Sequence, residues 1–147
     1  MSHAYSQNHI HLVFGTKGRE KTIAKNVQRR LWAYIAGICK NHSMLAFAVG
    51  GMDDHVHALF RLPPTLALAK AVSTIKSNSS RWMNERGTRF AWQEGYGAFS
   101  VSSSNVDMVI KYIDEQERHH RKKGFEQEFI ALLRKHNVPF DPQYVFG

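Results

Sequence analysis

Cysteine is nearly absent from this 147-residue chain. The single Cys39 excludes an internal disulfide and a thiolate zinc site, and within a helical pattern it reads as a small buried hydrophobe. Proline is scarce too, four residues in all, and Pro139 and Pro142 mark an irregular tail. No apolar run approaches the roughly 20 residues that a membrane helix needs. The segment Met1-Ser2-His3-Ala4-Tyr5 lacks a charged stretch followed by an apolar signal region, so the protein is expected in the cytoplasm. Acidic residues are in deficit: 20 Lys and Arg against 12 Asp and Glu leave a net charge of +8, and the sequence pI is near 9.8. That excess makes a polyanion, above all nucleic acid, the expected partner.

What is present suffices for one core. An apolar content of 43% and a length within the usual single-domain range predict one domain over 1–147. Residues 9–14 alternate, with Ile10, Leu12 and Phe14 on one side and His9, His11 and Val13 on the other, as in a half-buried strand. Ile23 to Asn41 has helical spacing through Val27, Leu31, Tyr34, Ile35 and Ile38. Met44 to Val49, closed by Gly50-Gly51, and His55 to Leu62 read as an antiparallel pair, ended by Pro63-Pro64. Thr65 is placed to cap a helix to about Met83. A long loop follows from Asn84 to Gly97, then a strand over Ala98 to Ser102. Ser104 or Asn105 is placed to cap a helix to about Lys123, and a last helix spans Phe125 to His136.

The order strand, helix, strand, strand, helix, strand, then two helices predicts an α+β fold. It is ferredoxin-like (RRM-like): an antiparallel sheet with helices on one face, the other face open, and additional C-terminal helices. Val56, Ala58, Phe60 and Leu62 must face the helices, so the two-residue period sends His55, His57, Leu59 and Arg61 to the other face. His9 and His11 join them on the neighbouring central strand, so either His-x-His pair is a candidate metal ligand set.

In the helix after Asn105, Val106, Val109, Ile110 and Ile113 form the buried stripe. Asn105, Tyr112, Gln116, His119 and Lys123 cluster on its flank. Gln116, one turn beyond Tyr112, can offer a carbonyl oxygen to a metal beside the phenol. A phenol with pKa near 10 is only about 0.1% ionised at neutral pH, so use as a nucleophile requires a polarised target and a proton acceptor. His119, about 10 Å further along an unbroken helix, is too far to be that acceptor.

Taken together, these segments resemble the single-tyrosine HUH transposases of the smallest bacterial insertion sequences, which include the REP-associated tyrosine transposases. The resemblance runs through Gly51-Met52-Asp53-Asp54-His55-Val56-His57, Lys76 to Trp82, Trp92 to Ser102, Tyr112-Ile113-Asp114-Glu115-Gln116 with His119-His120, and Phe125 to Leu133. It implies a DNA-cleaving and rejoining transposase, an HUH tyrosine endonuclease acting on single-stranded DNA with hairpin ends. Tyr112 would be the nucleophile forming a 5′-phosphotyrosine, with His55, His57 and Gln116 holding a divalent metal, Mg²⁺ or Mn²⁺. It further implies a homodimer with active sites shared between subunits.

For DNA contacts, Arg81, Arg86 and Arg89 lie among Trp82, Phe90, Trp92 and Tyr96, mixing phosphate-neutralising cations with rings that stack on bases. Arg61 leaves the sheet on the histidine face. The basic run 118–123 is a solvated helix end that also offers a DNA contact. Two rival readings are a non-catalytic RRM-like nucleic-acid-binding protein and a hydrolase built on all four imidazoles.

Overall fold

The computed structural model describes residues 4–87, 89–120 and 123–147. Four strands, β1 (His9–Gly15), β2 (Leu45–Gly51), β3 (His55–Arg61) and β4 (Gly97–Val101), form an antiparallel sheet in the order β2-β3-β1-β4. The expected ferredoxin-like arrangement is therefore present, with β1 and β3 at the centre. Two 17-residue helices, α1 (Lys25–Asn41) and α2 (Leu68–Asn84), cover one face. Their apolar stripes meet Ile10, Leu12, Phe14, Val56, Ala58 and Phe60 in the main core. Cys39 is buried there, and burial pushes its thiol up to about 11.

The second face is not open. Every residue of β1 is buried, because α3 (Val106–Asp114), α4 (Gln116–His119) and α5 (Phe125–Lys135) fold back over it. The cause lies in the residues between the histidines. Leu59, Val101 and Ile113 make one apolar cluster under α3, while Val13 and Phe99 make another with Phe125, Phe129 and Leu133 of α5. An open sheet would leave those side chains wet; burying each large one stabilises the fold by roughly 1.5–3 kcal/mol.

Local details differ from the sequence expectations. The helix after Asn105 does not run on to Lys123: it ends at Asp114, Glu115 leaves helical geometry (φ −100°, ψ 21°), and α4 restarts at Gln116. Residues 121 and 122 of that basic run lie outside the described residues. Thr65 caps nothing, since α2 begins at Leu68 after Ala67, with no side-chain cap. The two tryptophans, Trp82 at the end of α2 and Trp92 in the loop after it, belong to the core and not to an exposed stacking surface. Trp82 and Trp92 are buried; Trp92 Nε1 donates to Ser79 Oγ at 2.9 Å, and Trp82 stacks on Tyr34. Lys76 Nζ donates to the carbonyls of Gln93 and Glu94 at 2.6 and 2.8 Å, tying that loop to α2. Among the described residues no helix is long and apolar enough to cross a membrane.

Candidate active site

Strand register and helix docking converge on one polar seam between the two apolar clusters of the second face. Alternation along β3 aims His55 and His57 into it, both fully buried. Gly50 of β2 lies opposite His57, so its missing side chain leaves room on that face. A Cβ there would meet the Ile113 carbonyl oxygen at 2.8 Å. That close approach brings α3 down to the sheet with Tyr112 and Gln116.

His55 Nε2 lies 2.9 Å from Gln116 Oε1, and His55 Nδ1 lies 2.7 Å from Asp54 Oδ1. Tyr112 sits beside both strands' imidazoles, its ring edge-on to His57 at 5.7 Å and to His11 at 6.1 Å. Thus His55, His57, Gln116 and Tyr112 come together within a single chain, and no helix from a second subunit is needed to complete the set.

At the centre is a residue that sequence reasoning missed. Glu128, on the buried side of α5, accepts the Tyr112 hydroxyl proton in a short hydrogen bond and an N–H from Gln116 Nε2 at 3.0 Å. Its other oxygen lies 3.0 Å from His57 Nε2 and 3.1 Å from His120 Nε2. The signal was present: Glu128 falls at helical spacing among Phe125, Phe129 and Leu132, a carboxylate inside an apolar stripe. His11 was legible as a neighbour but not as a partner; its Nε2 meets His57 Nδ1 at 2.8 Å. His9 lies opposite Arg61, and His55 opposite Gly15, at the other end of the ladder. Six residues at about 3.3 Å each separate them, so the four imidazoles do not form one site.

Charge in the seam is divided unevenly. Burial opposes ionisation of Glu128, but hydrogen bonds from His120 and His57 outweigh it and hold the carboxyl well below the usual range. Burial lowers His57 despite Glu128, and lowers His11 further, assisted by His57. At His120 the bond to Glu128 overcomes burial and raises it. Glu128 and His120 are thus both shifted toward their charged forms, and His57 toward its neutral form. Burial, then the Glu128 charge, pushes the Tyr112 phenol well above its ordinary value.

The donor set suits a divalent cation. His55, His57 and Glu128 each offer a ligand atom, all within 4.8 Å of one another. His55 Nδ1 faces Asp54 Oδ1 and its Nε2 faces Gln116 Oε1, an acceptor whose amide N–H is turned to Glu128. A ring nitrogen and an amide oxygen 2.9 Å apart are bridged by a proton or by a cation. Asp54 and His11 stand behind the two imidazoles as the partners that fix ring orientation in metal sites.

A cleft of about 730 Å³ opens beside the seam, lined by Tyr112, Arg118, His119, His120, Glu128 and Lys135 among others. The break at Glu115 turns His119 back, so its ring lies 4.7 Å from that of Tyr112, nearer than an unbroken helix would bring it. The expected DNA-binding arginines are all exposed. Arg61 is at the far end of β3 on the histidine face. Arg81 and Arg86 belong to α2 and the turn after it, across the sheet; Arg86 lies over the Trp82 ring at 3.6 Å. Arg89 follows in the same loop.

Residues 4–116 match the family model described as "Transposase IS200 like". Two solved structures share the fold. One, a candidate transposase from Deinococcus radiodurans R1, is 22% identical with a TM-score of 0.62, covering 79% of this chain and 96% of its own. The other is a REP-associated tyrosine transposase bound to a REP hairpin, 14% identical with a TM-score of 0.61, covering 82% of this chain and 73% of its own. No curated protein matches significantly. Over three quarters of its length is spanned by that family model, and the chain belongs to the IS200-like transposase family.

Proposed function

We propose that the protein, as one HUH-type domain over 1–147, is an endonuclease and strand-transferase acting on single-stranded DNA through a 5′-phosphotyrosine. The observation that carries the reading is the convergence of Tyr112 with His55, His57 and Gln116 in one buried seam that opens to a basic cleft. Tyr112 attacks the phosphodiester and keeps the 5′ phosphate, freeing a 3′ hydroxyl. The ester bond stores the energy for rejoining, which suits strand transfer without ATP. His55, His57 and Gln116 would hold a Mg²⁺ or Mn²⁺ ion, with Glu128 in reach, and the ion supplies polarisation of the scissile phosphate.

Arg118, Lys123 and Lys135 line the cleft and neutralise phosphates next to Tyr112. Arg61, Arg81, Arg86 and Arg89 contact DNA farther out. A hairpin is the proposed substrate because one structural neighbour is bound to a REP hairpin. A homodimer that exchanged the α3–α5 segment would rebuild the same contacts between subunits, which is how the shared-site arrangement is accommodated.

The test is incubation with Mn²⁺ and a 3′-labelled single-stranded hairpin drawn from the DNA flanking the gene. A covalent protein–DNA adduct is expected, and it should disappear in Tyr112→Phe. Adduct formation that survives Tyr112→Phe refutes the assignment; binding unaffected by chelator, with no adduct, would favour a non-catalytic binding protein.

A further inference from the structure

We propose that a second cleft, between α1 and the α3–α4 junction, holds one unpaired base of the substrate strand, stacked on Trp32. The inference says how the proposed single-stranded DNA is gripped, and it rests on that reading for its ligand.

Lys25, Arg29 and Trp32 recur at helical spacing along α1 and so share one face of it. With Gly50 of β2 and with Asp114 and Gln116 they line a cleft of about 360 Å³, inside the range of about 300–1,000 Å³ usual for small-ligand sites. Gln116 joins this cleft to the seam: its side-chain oxygen lies 2.9 Å from His55 Nε2, and its amide nitrogen donates to Glu128 at 3.0 Å. Tyr112 lines the other cleft and not this one. A base seated here is therefore close to the cleaved bond without competing with the nucleophile for space.

Trp32 is unlike the other two tryptophans. Trp82 is stacked on Tyr34, and Trp92 is bonded to Ser79 and packed edge-on against Phe14. Trp32 is half-buried. It packs partly on the main core, yet among the described residues its ring is stacked on no other and its indole N–H meets no acceptor. It also lines the groove that continues along β2, the outer strand of the sheet. A flat ring with a free face at the wall of a polar cleft suits an unpaired base, because every base has a π-face to stack.

Charge decides how the nucleotide enters. Lys25 is tied to Glu117 at 3.1 Å. Arg29 is exposed and makes no ion pair among the described residues. Asp114 repels phosphate from the cleft itself, so the base goes in and its phosphate stays outside, against Arg29.

Binding is read in chelator, where no cleavage occurs, as quenching of tryptophan emission by the flank-derived hairpin with its single-stranded arm. Wild type should be quenched. Trp32→Phe, which keeps a ring to stack on, should bind nearly as tightly but without quenching, since Trp82 and Trp92 are buried. Trp32→Ala should bind about 5–150-fold more weakly, the range for one base–aromatic stack. In a series of hairpins each lacking one unpaired base, one position beside the cleaved bond should weaken wild-type binding and weaken Trp32→Ala no further. Penalties that add at every position overturn the proposal, as does a bound hairpin that leaves the emission unchanged. Should Trp32→Ala fail to fold, wild-type quenching decides: it should vanish with the hairpin abasic at that one position, and its persistence with every abasic hairpin overturns the assignment. If sedimentation shows Trp32→Ala turning a dimer into a monomer while DNA affinity holds, the cleft is an interface between copies and the proposal falls. Quenching with no adduct in Mn²⁺ would sink the cleavage reading alone, and adduct with no quenching would sink this inference alone.

Discussion

Replacing Gly50 by alanine should impair a reaction whose chemistry Gly50 never touches. Gly50 lies opposite His57, so an added methyl points into the histidine face, where it meets the Ile113 carbonyl oxygen at 2.8 Å and Ile113 Cγ2 at 3.1 Å. Ordinary contact begins at 3.4 Å, so the backbone of α3 must lift by about 0.6 Å. Ile113 follows Tyr112 directly, and the nucleophile rises with it. Overpacking of this kind costs roughly 1–3 kcal/mol, offset by up to about 1 kcal/mol from a less flexible unfolded chain. A displacement approaching 1 Å lowers catalysis by up to about 10²-fold. Urea unfolding followed by circular dichroism should therefore show a loss of about 1–2 kcal/mol. Adduct formation, measured under conditions where the variant is fully folded, should fall by one to two orders of magnitude. A Gly50→Ala protein with wild-type stability and wild-type adduct rate would refute the claim that a bare backbone at this position sets the height of α3.

Three further outcomes follow from the seam and the helix that closes it. In chelator, stability should decline as pH falls below about 6.5: burial holds His11 and His57 below their ordinary value, so the unfolded chain takes up the protons first. Each contributes a slope of up to about 1.4 kcal/mol per pH unit, His120 opposes the trend because its shift is upward, and His11→Gln should flatten a urea series between pH 7 and 5. Mn²⁺ at 100 times its dissociation constant should stabilise the protein by about 2.7 kcal/mol; thermal melts of His55→Ala that gain as much as wild type would place the ion elsewhere. Phe129→Ala, which removes a buried ring from the α5 cluster, should cost about 3–5 kcal/mol in the same urea assay, and a loss under 1 kcal/mol would show that α5 is held by other contacts.

Much of this architecture is legible in the chain. Alternation in β1 and β3 assigns every residue of those strands to its observed face, because a one-residue slip would take Phe14 and Phe60 out of the main core. The flank position of Tyr112 and Gln116 follows from helical spacing around Val109, Ile110 and Ile113. Closure of the second face was not legible. Period-two patterning says which side chains share a face but not what covers it, and four imidazoles made a buried face look wet. Nor does Asp114-Glu115-Gln116 contain glycine or proline to announce the helix break at Glu115; tertiary docking decides it. The same holds for Trp82 and Trp92, whose surroundings in sequence are basic and polar while their surroundings in space are Tyr34 and Ser79. Glu128 was visible as an anomaly in the α5 pattern, yet its partners come from three other regions of the chain.

That last point bears on how the site is held. The apolar cluster under α3 and the one under α5 are separate. Within the seam, Glu128 bonds to Tyr112 of α3, to Gln116 and His120 in and after α4, and to His57 of β3. One carboxylate therefore joins α5 to the nucleophile, to a candidate ligand and to the sheet. A buried carboxylate without partners is costly, and removing one member of such a group typically destabilises by about 3–5 kcal/mol. Undocking α5 would strand the imidazoles and the phenol at the same moment that it withdrew Glu128. Docking of α5 and assembly of the site are thus a single equilibrium, and substitutions on the apolar face of α5 should act on adduct formation through that equilibrium even where they lie far from Tyr112.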